Sequence, residues 1–137
     1  SVDLSNTYLG WAARNLALNG LEDATRVFVK SDVKAFLEDA RRRGHSWDLI
    51  VCDPPTFSNS SSTESDFDVN KDWPNLIASC LGVLSPGASL YFSSNSRRLR
   101  WDASLVAGMV EDISDSSLPP DFRDRRTRRT WKILKPS

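Results

Sequence analysis

Long apolar runs are missing from this chain. No stretch of its 137 residues approaches the roughly 20 apolar residues of a bilayer span, which leaves no candidate for a membrane-spanning helix. A basic-then-apolar leader is lacking at the start, and the expectation is a cytoplasmic protein. Cysteine is scarce. Cys52 and Cys80 have neither metal-ligand spacing nor the density of a secreted disulfide scaffold, so both read as buried thiols and no metal is expected. Glycine occurs singly, at Gly10, Gly20 and Gly44 among others, and forms no rich turn of the kind that lets a backbone approach a nucleotide. Methionine is found only at Met109, the chain opens on Ser1, and Val2-Asp3 reads as the last residues of a strand. A fragment or excised domain is therefore expected. There is no internal repeat.

Net charge is also absent in total, but not locally. Residues 1 to 68 hold 7 Lys and Arg against 11 Asp and Glu, a net of −4, and residues 69 to 137 hold 11 against 7, a net of +4. That asymmetry is compatible with a polyanionic partner at the second half, although a solvated face produces the same excess.

What the chain does have is a repeated alternation of strand and helix. Asp3 to Gly20 reads as a strand end and a helix, with Ser5 as N-cap and Asn19-Gly20 as its stop. Residues 26 to 30 alternate like a strand, and Ser31-Asp32 opens a helix running to Arg43. The β-branched apolar run Leu49 to Cys52 predicts a buried interior strand that Pro54 and Pro55 stop, leaving Asp53 at a stiff exit. After a polar loop from Ser58 to Ser65, a helix runs to about Leu84, starting at Asp68 or at Asp72. Pro74 favours Asp72, because proline is tolerated in a first turn. Ser85-Pro86-Gly87 ends that helix, Ala88 to Ser93 is a strand, Asp102 to Glu111 a modest helix, and residues 128 to 134 a last strand. The alternation specifies one domain with a mostly parallel sheet and helices on both faces.

Asp3, Asp32 and Asp53 fall at the carboxyl ends of three successive strands, which a parallel sheet brings to one edge and one cleft. A carboxylate after a strand in such a fold accepts hydrogen bonds from both ribose hydroxyls of a nucleoside cofactor. For each acid singly, a helix N-cap is the plainer role, and Asp32 fits it best.

The runs VDLSNTYLGWAARNLALNG, DLIVCDPPTFSNS, FDVNKDW and LYFSSNSRRLRWD resemble the C-terminal, guanine-N7-methylating half of the bifunctional bacterial 23S rRNA guanine methyltransferases, a class I S-adenosylmethionine-dependent family. The resemblance extends from Val2 to about Leu134. It implies a Rossmann-like class I fold. By resemblance Asp3, with Ser5 beside it, holds the ribose of S-adenosylmethionine, Asp32 and Val33 lie against the adenine, and Asp53, Pro54, Pro55 and Phe57 form the floor where methyl donor and base meet. Phe57 would stack on an extruded base, its alternative being core packing. Asp53 or carbonyls around Pro54 would accept the guanine N1 and N2 hydrogens without acting as a base.

The competing chemistry, cytosine-C5 methylation, requires a cysteine nucleophile at the strand that here reads LYFSSNS, where Ser93, Ser94 and Asn95 stand instead. A non-catalytic RNA-binding remnant is the other alternative. Arg97, Arg98 and Arg100 would rim the cleft and contact rRNA phosphate, whereas Arg123, Arg125, Arg126, Arg128 and Arg129 suit a solvated loop or an interface equally well. The family's first strand and glycine-rich loop have no counterpart here. The chain is therefore expected to be a single partial domain, weak in cofactor binding and inactive alone, in which a homodimer covers the gap.

Overall fold

A computed structural model describes residues 1–58, 66–122, 124 and 128–137. The local signals in the first half translate directly into structure. Helix α1 (Asn6–Leu18) follows β1 (Val2–Asp3), with Ser5 accepting from the Tyr8 N–H and Gly20 turning the chain at φ 65°. Helix α2 (Val33–Arg42) follows β2 (Val29–Lys30) and is capped by Asp32. β2 is shorter than the alternating run 26 to 30 because its partner β1 offers only two residues, Val2 and Asp3, for a parallel ladder.

β3 (Trp47–Cys52) pairs in parallel with β6 (Leu84–Ser94), which continues antiparallel to β8 (Arg129–Leu134), itself antiparallel to β7 (Met109–Asp112). The order β3-β6-β8-β7 is therefore a mixed sheet rather than a mostly parallel one, with β1-β2 a separate ribbon. The direction of β8 decides the difference. β4 (Phe57–Ser58) and β5 (Phe67–Asp68) form a short antiparallel hairpin beside the sheet.

Three expectations need correction. β3 is not interior: among the described residues it pairs only with β6, and Leu49 and Val51 are 57% and 70% exposed along its open side. Helix α3 (Val69–Gly82) starts after Asp68, not Asp72, so Pro74 lies inside it. The Asp68 carboxylate accepts from the Asn70 N–H, and Asp72 reaches back to accept from the Asp68 N–H, so the cap outweighs the one intrahelical bond that proline forfeits. Only a single 3₁₀ turn, Ala103–Leu105, occupies the predicted helix from Asp102 to Glu111; residues 106–108 are irregular and strand β7 begins at Met109. Gly108 explains why: a Cβ there would lie 2.8 Å from the Leu134 carbonyl oxygen, so the chain passes close against β8.

The core is formed where α3 lies on β6 and β8. Trp73, Leu76, Ile77 and Cys80 of α3 meet Leu90 and Phe92 of β6 and Trp131 and Ile133 of β8, all at 2% exposure or less. Trp101 stacks between Trp73 and Trp131 at centroid distances of 4.4 and 4.1 Å. The C-terminal end of α3 is closed by Lys135, whose ammonium donates to the carbonyls of Leu81 (2.8 Å) and Leu84 (2.6 Å). Those bonds are charge-assisted and part-buried, so Lys135→Met should lower the unfolding free energy by about 1.5 to 3 kcal/mol in urea titrations.

Candidate active site

The strand β3 stops where its sequence requires. Pro54 and Pro55 offer no N–H to extend the ladder, and Asp53 emerges beside the end of β6. A buried serine of β6 and an arginine just ahead of β8 hold it there. The Ser93 hydroxyl donates to Asp53 Oδ1 at 2.6 Å, and Arg128, entering β8, donates from Nη2 to the same Ser93 oxygen (2.7 Å) and approaches Asp53 Oδ2 at 3.1 Å. Ser93 is only 3% exposed, and this closed triangle is what satisfies its hydroxyl.

A cavity of about 1050 Å³ opens above this triangle, between the β1-β2 ribbon and the outer side of β3. Asp3, Asp32 and Asp53 all line it, together with Val33, Pro54, Pro55 and Arg128. Asp3 Oδ1 accepts from the Ser5 N–H at 2.7 Å, which orients the carboxylate and leaves Oδ2 without a partner among the described residues. Ser5 itself caps α1 and does not reach the cavity wall. Asp32 Oδ1 accepts from the N–H groups of Lys34 (2.9 Å) and Ala35 (3.0 Å), so the cap is a real function of this residue, with Oδ2 left over. Replacing Asp32 with alanine should cost about 1 kcal/mol of stability through the lost cap, measured by thermal unfolding.

The structure separates Phe57 from the other floor residues. It is 53% exposed on β4 and lines a second, smaller cavity of about 440 Å³ with Arg97 and Arg98. Arg97 pairs with Asp124 at 2.9 Å, Arg98 makes no ion pair among the described residues, and Arg100 is exposed and lines neither cavity. Of the later basic cluster, Arg123, Arg125 and Arg126 lie outside the described residues, as does the loop 59–65; Arg129 covers the Trp131 ring at 4.6 Å. Asn95 borders both cavities.

Several residues here were not singled out by sequence. Ser93, Arg128, Asn95 and Thr56 are united only by tertiary contacts: Arg128 is 75 positions from Asp53, and Thr56 donates to Asn95 Oδ1 at 2.8 Å from 39 positions away. The one legible hint was the hydroxyl-rich end of an otherwise apolar strand, SSNS, since buried serines need partners.

Cys52 and Cys80 also face the large cavity. The Cys52 thiol is pushed far above its ordinary range, first by its hydrogen bond with Cys80 and then by burial, so it carries no thiolate. Among the described residues no cluster of metal-ligating side chains occurs, and no helix is long and apolar enough to cross a membrane.

No protein-family model matches the chain. It is 50% identical over 135 residues to a protein of Pseudomonas putida named ribosomal RNA large subunit methyltransferase K/L, covering 97% of the chain and 18% of that protein. It is 43% identical over 135 residues to ribosomal RNA large subunit methyltransferase K of Neisseria meningitidis, covering 38% of that one. The chain thus spans between about a fifth and two fifths of the length of these relatives. Among solved structures, an S-adenosylmethionine-dependent methyltransferase of Agrobacterium tumefaciens matches with a TM-score of 0.76 at 25% identity, over 99% of the chain and 48% of that structure. A methyltransferase complexed with SAH matches with the same TM-score of 0.76 at 23% identity, over 98% of the chain and 38% of that structure.

Proposed function

We propose that this chain, which has the fold of the class I S-adenosylmethionine-dependent methyltransferases and is similar along its length to a segment of ribosomal RNA large subunit methyltransferases, is a single partial domain, inactive alone, of an enzyme that methylates guanine at N7 in 23S rRNA. The observation that supports this best is the convergence of Asp3, Asp32 and Asp53 on one cavity, with Asp53 braced by Ser93 and Arg128.

The donor set suits the cofactor. A ribose presents two hydroxyl donors, and Asp3 keeps a free carboxylate oxygen in the cavity to accept them. Val33 and the remaining oxygen of Asp32 border the space beside α2, where an adenine would lie. S-adenosylmethionine supplies a sulfonium-bound, electrophilic methyl group.

Everything else is positioning. Guanine N7 carries an exposed lone pair and needs no deprotonation, so the chain has to align the base and exclude water. The Asp53 carboxylate has about four lone-pair sites, of which Ser93 and Arg128 take two. The others remain for the N1 and N2 hydrogens of guanine, and the triangle holds Asp53 rigid while they bind. The stiff Pro54-Pro55 exit keeps the base from sinking further into the sheet. Cytosine-C5 methylation fits less well, because Cys52 is protonated and Ser93 is committed to Asp53.

The test is transfer of a labelled methyl group to large-subunit rRNA by a polypeptide of the relatives' length that contains this chain, with the product nucleoside identified. Label in 7-methylguanine is the expected result. Label at cytosine C5, or no label at all, overturns the reading.

A further inference from the structure

We infer that the smaller cavity is a second nucleotide subsite, which takes the nucleotide adjoining the target base along a single RNA strand. The inference rests on the RNA-methylating reading of the larger cavity, and it assigns residues that the methyl-transfer chemistry does not use. A shared wall links the two spaces: Asn95 borders both, so a strand whose target base enters the larger cavity has its neighbour over the smaller one.

The smaller cavity is equipped for a nucleotide on three sides. Phe57 presents an aromatic side chain that is 53% exposed, although the core lies within reach of the same hairpin. An exposed aromatic residue beside a cationic groove is the usual platform for an unpaired base. Arg98 supplies the cation, exposed and without an ion pair among the described residues, and is placed for the phosphate. The third side is polar and rigid. Asn70 accepts from the Ser96 hydroxyl (2.7 Å) and donates to Asp68 Oδ1 (2.8 Å), so its amide is clamped at both ends.

Two unused groups then face the space. The Asn95 carbonyl oxygen is held by Thr56, which leaves its amide donors for a base edge. Asp68 concentrates its Asn70 bonds on Oδ1, leaving Oδ2 as an acceptor without a partner among the described residues. A carboxylate oxygen in that position accepts a ribose 2′-hydroxyl, a group that DNA lacks, and so favours RNA. The 440 Å³ volume lies within the range of small-ligand sites.

The experiment titrates the isotope-labelled 137-residue chain, at low salt, with a six-nucleotide single-stranded RNA and its DNA counterpart, following backbone amide shifts and anisotropy. With RNA, the amides of Asn70 and Asn95 to Arg98 are expected to move. Arg98→Ala should weaken binding and lower the slope of log affinity against log salt by about 0.7. Phe57→Leu should weaken it by about fivefold or more. Asp68→Asn, which keeps the helix cap, should reduce the preference for RNA over DNA by about threefold to tenfold. Shifts confined to the larger cavity, with Arg98→Ala and Phe57→Leu unchanged, would overturn the subsite while the methylation reading stands. Shifts at neither cavity would overturn it too, and the labelled-methyl assay decides the methylation reading separately.

Discussion

Asp53→Ala should lower the rate of methyl transfer by about a hundredfold, assayed on large-subunit rRNA in the longer polypeptide. The magnitude follows from positioning, since a misplacement of about 1 Å costs on the order of 10² in rate. Removing the carboxylate does two things at once. It takes away the acceptor proposed for the base, and it leaves the 3%-exposed Ser93 hydroxyl and the Arg128 guanidinium without the group that ties them together. Asp53→Asn keeps the shape and one acceptor oxygen, and it should lose less. The loss should appear in the transfer rate at saturating RNA, not chiefly in RNA affinity, because phosphate contacts supply most of the latter. Retention of more than about a third of the wild-type rate in Asp53→Ala would show that the strand exit holds no catalytic group.

The largest effect on stability should come from Trp131. It is 1% exposed, stacks on Trp101 at 4.1 Å and an interplanar angle of 11°, and packs against Phe92 at 6.0 Å. Trp131→Ala should cost about 3 to 5 kcal/mol, a large share of the roughly 5 to 15 kcal/mol that holds a domain folded. Chemical denaturation should show the transition displaced or absent. Trp131→Phe should cost markedly less than the alanine change, for a specific reason. The indole Nε1 is buried with no hydrogen-bond partner among the described residues, so phenylalanine gives up packing volume but also removes an unsatisfied donor. If alanine and phenylalanine destabilised equally, the indole nitrogen would be contributing a bond that the geometry does not reveal.

Local chemistry was legible in the sequence, and pairing was not. The caps Ser5 and Asp32, the stop at Gly20, and the end of β3 at Asp53 each follow from residues within a few positions, and the structure has them. The start of α3 was misjudged because two local rules conflicted. Pro74 argued for Asp72, and the Asp68 cap prevailed once Asp72 was available to reach back to it. The segment 102 to 111 was read as helix from its composition, but Gly108 and the ladder to β8 make its second half a strand, a matter of long-range contact. The site shows the same division. Asp3, Asp32 and Asp53 could be grouped because each follows the carboxyl end of a strand, and the structure brings all three to one cavity although β1-β2 is a separate ribbon, while Arg128 could not, since nothing near it in sequence announces that it meets Asp53.

The open side of β3 also governs how the chain behaves in a tube. Leu49 and Val51 project from a strand that, among the described residues, has a partner on only one side, so backbone donors and acceptors and apolar side chains are offered together along one rim. Such a rim is a template for further strands, and no lysine or proline within Trp47–Cys52 blunts it. With a formal net charge of zero there is also no mutual repulsion to keep molecules apart. Colloidal stability in concentrated, near-neutral solutions should therefore be limited by edge-to-edge growth, and preparations of the chain will keep best dilute and away from its pI of about 6.5.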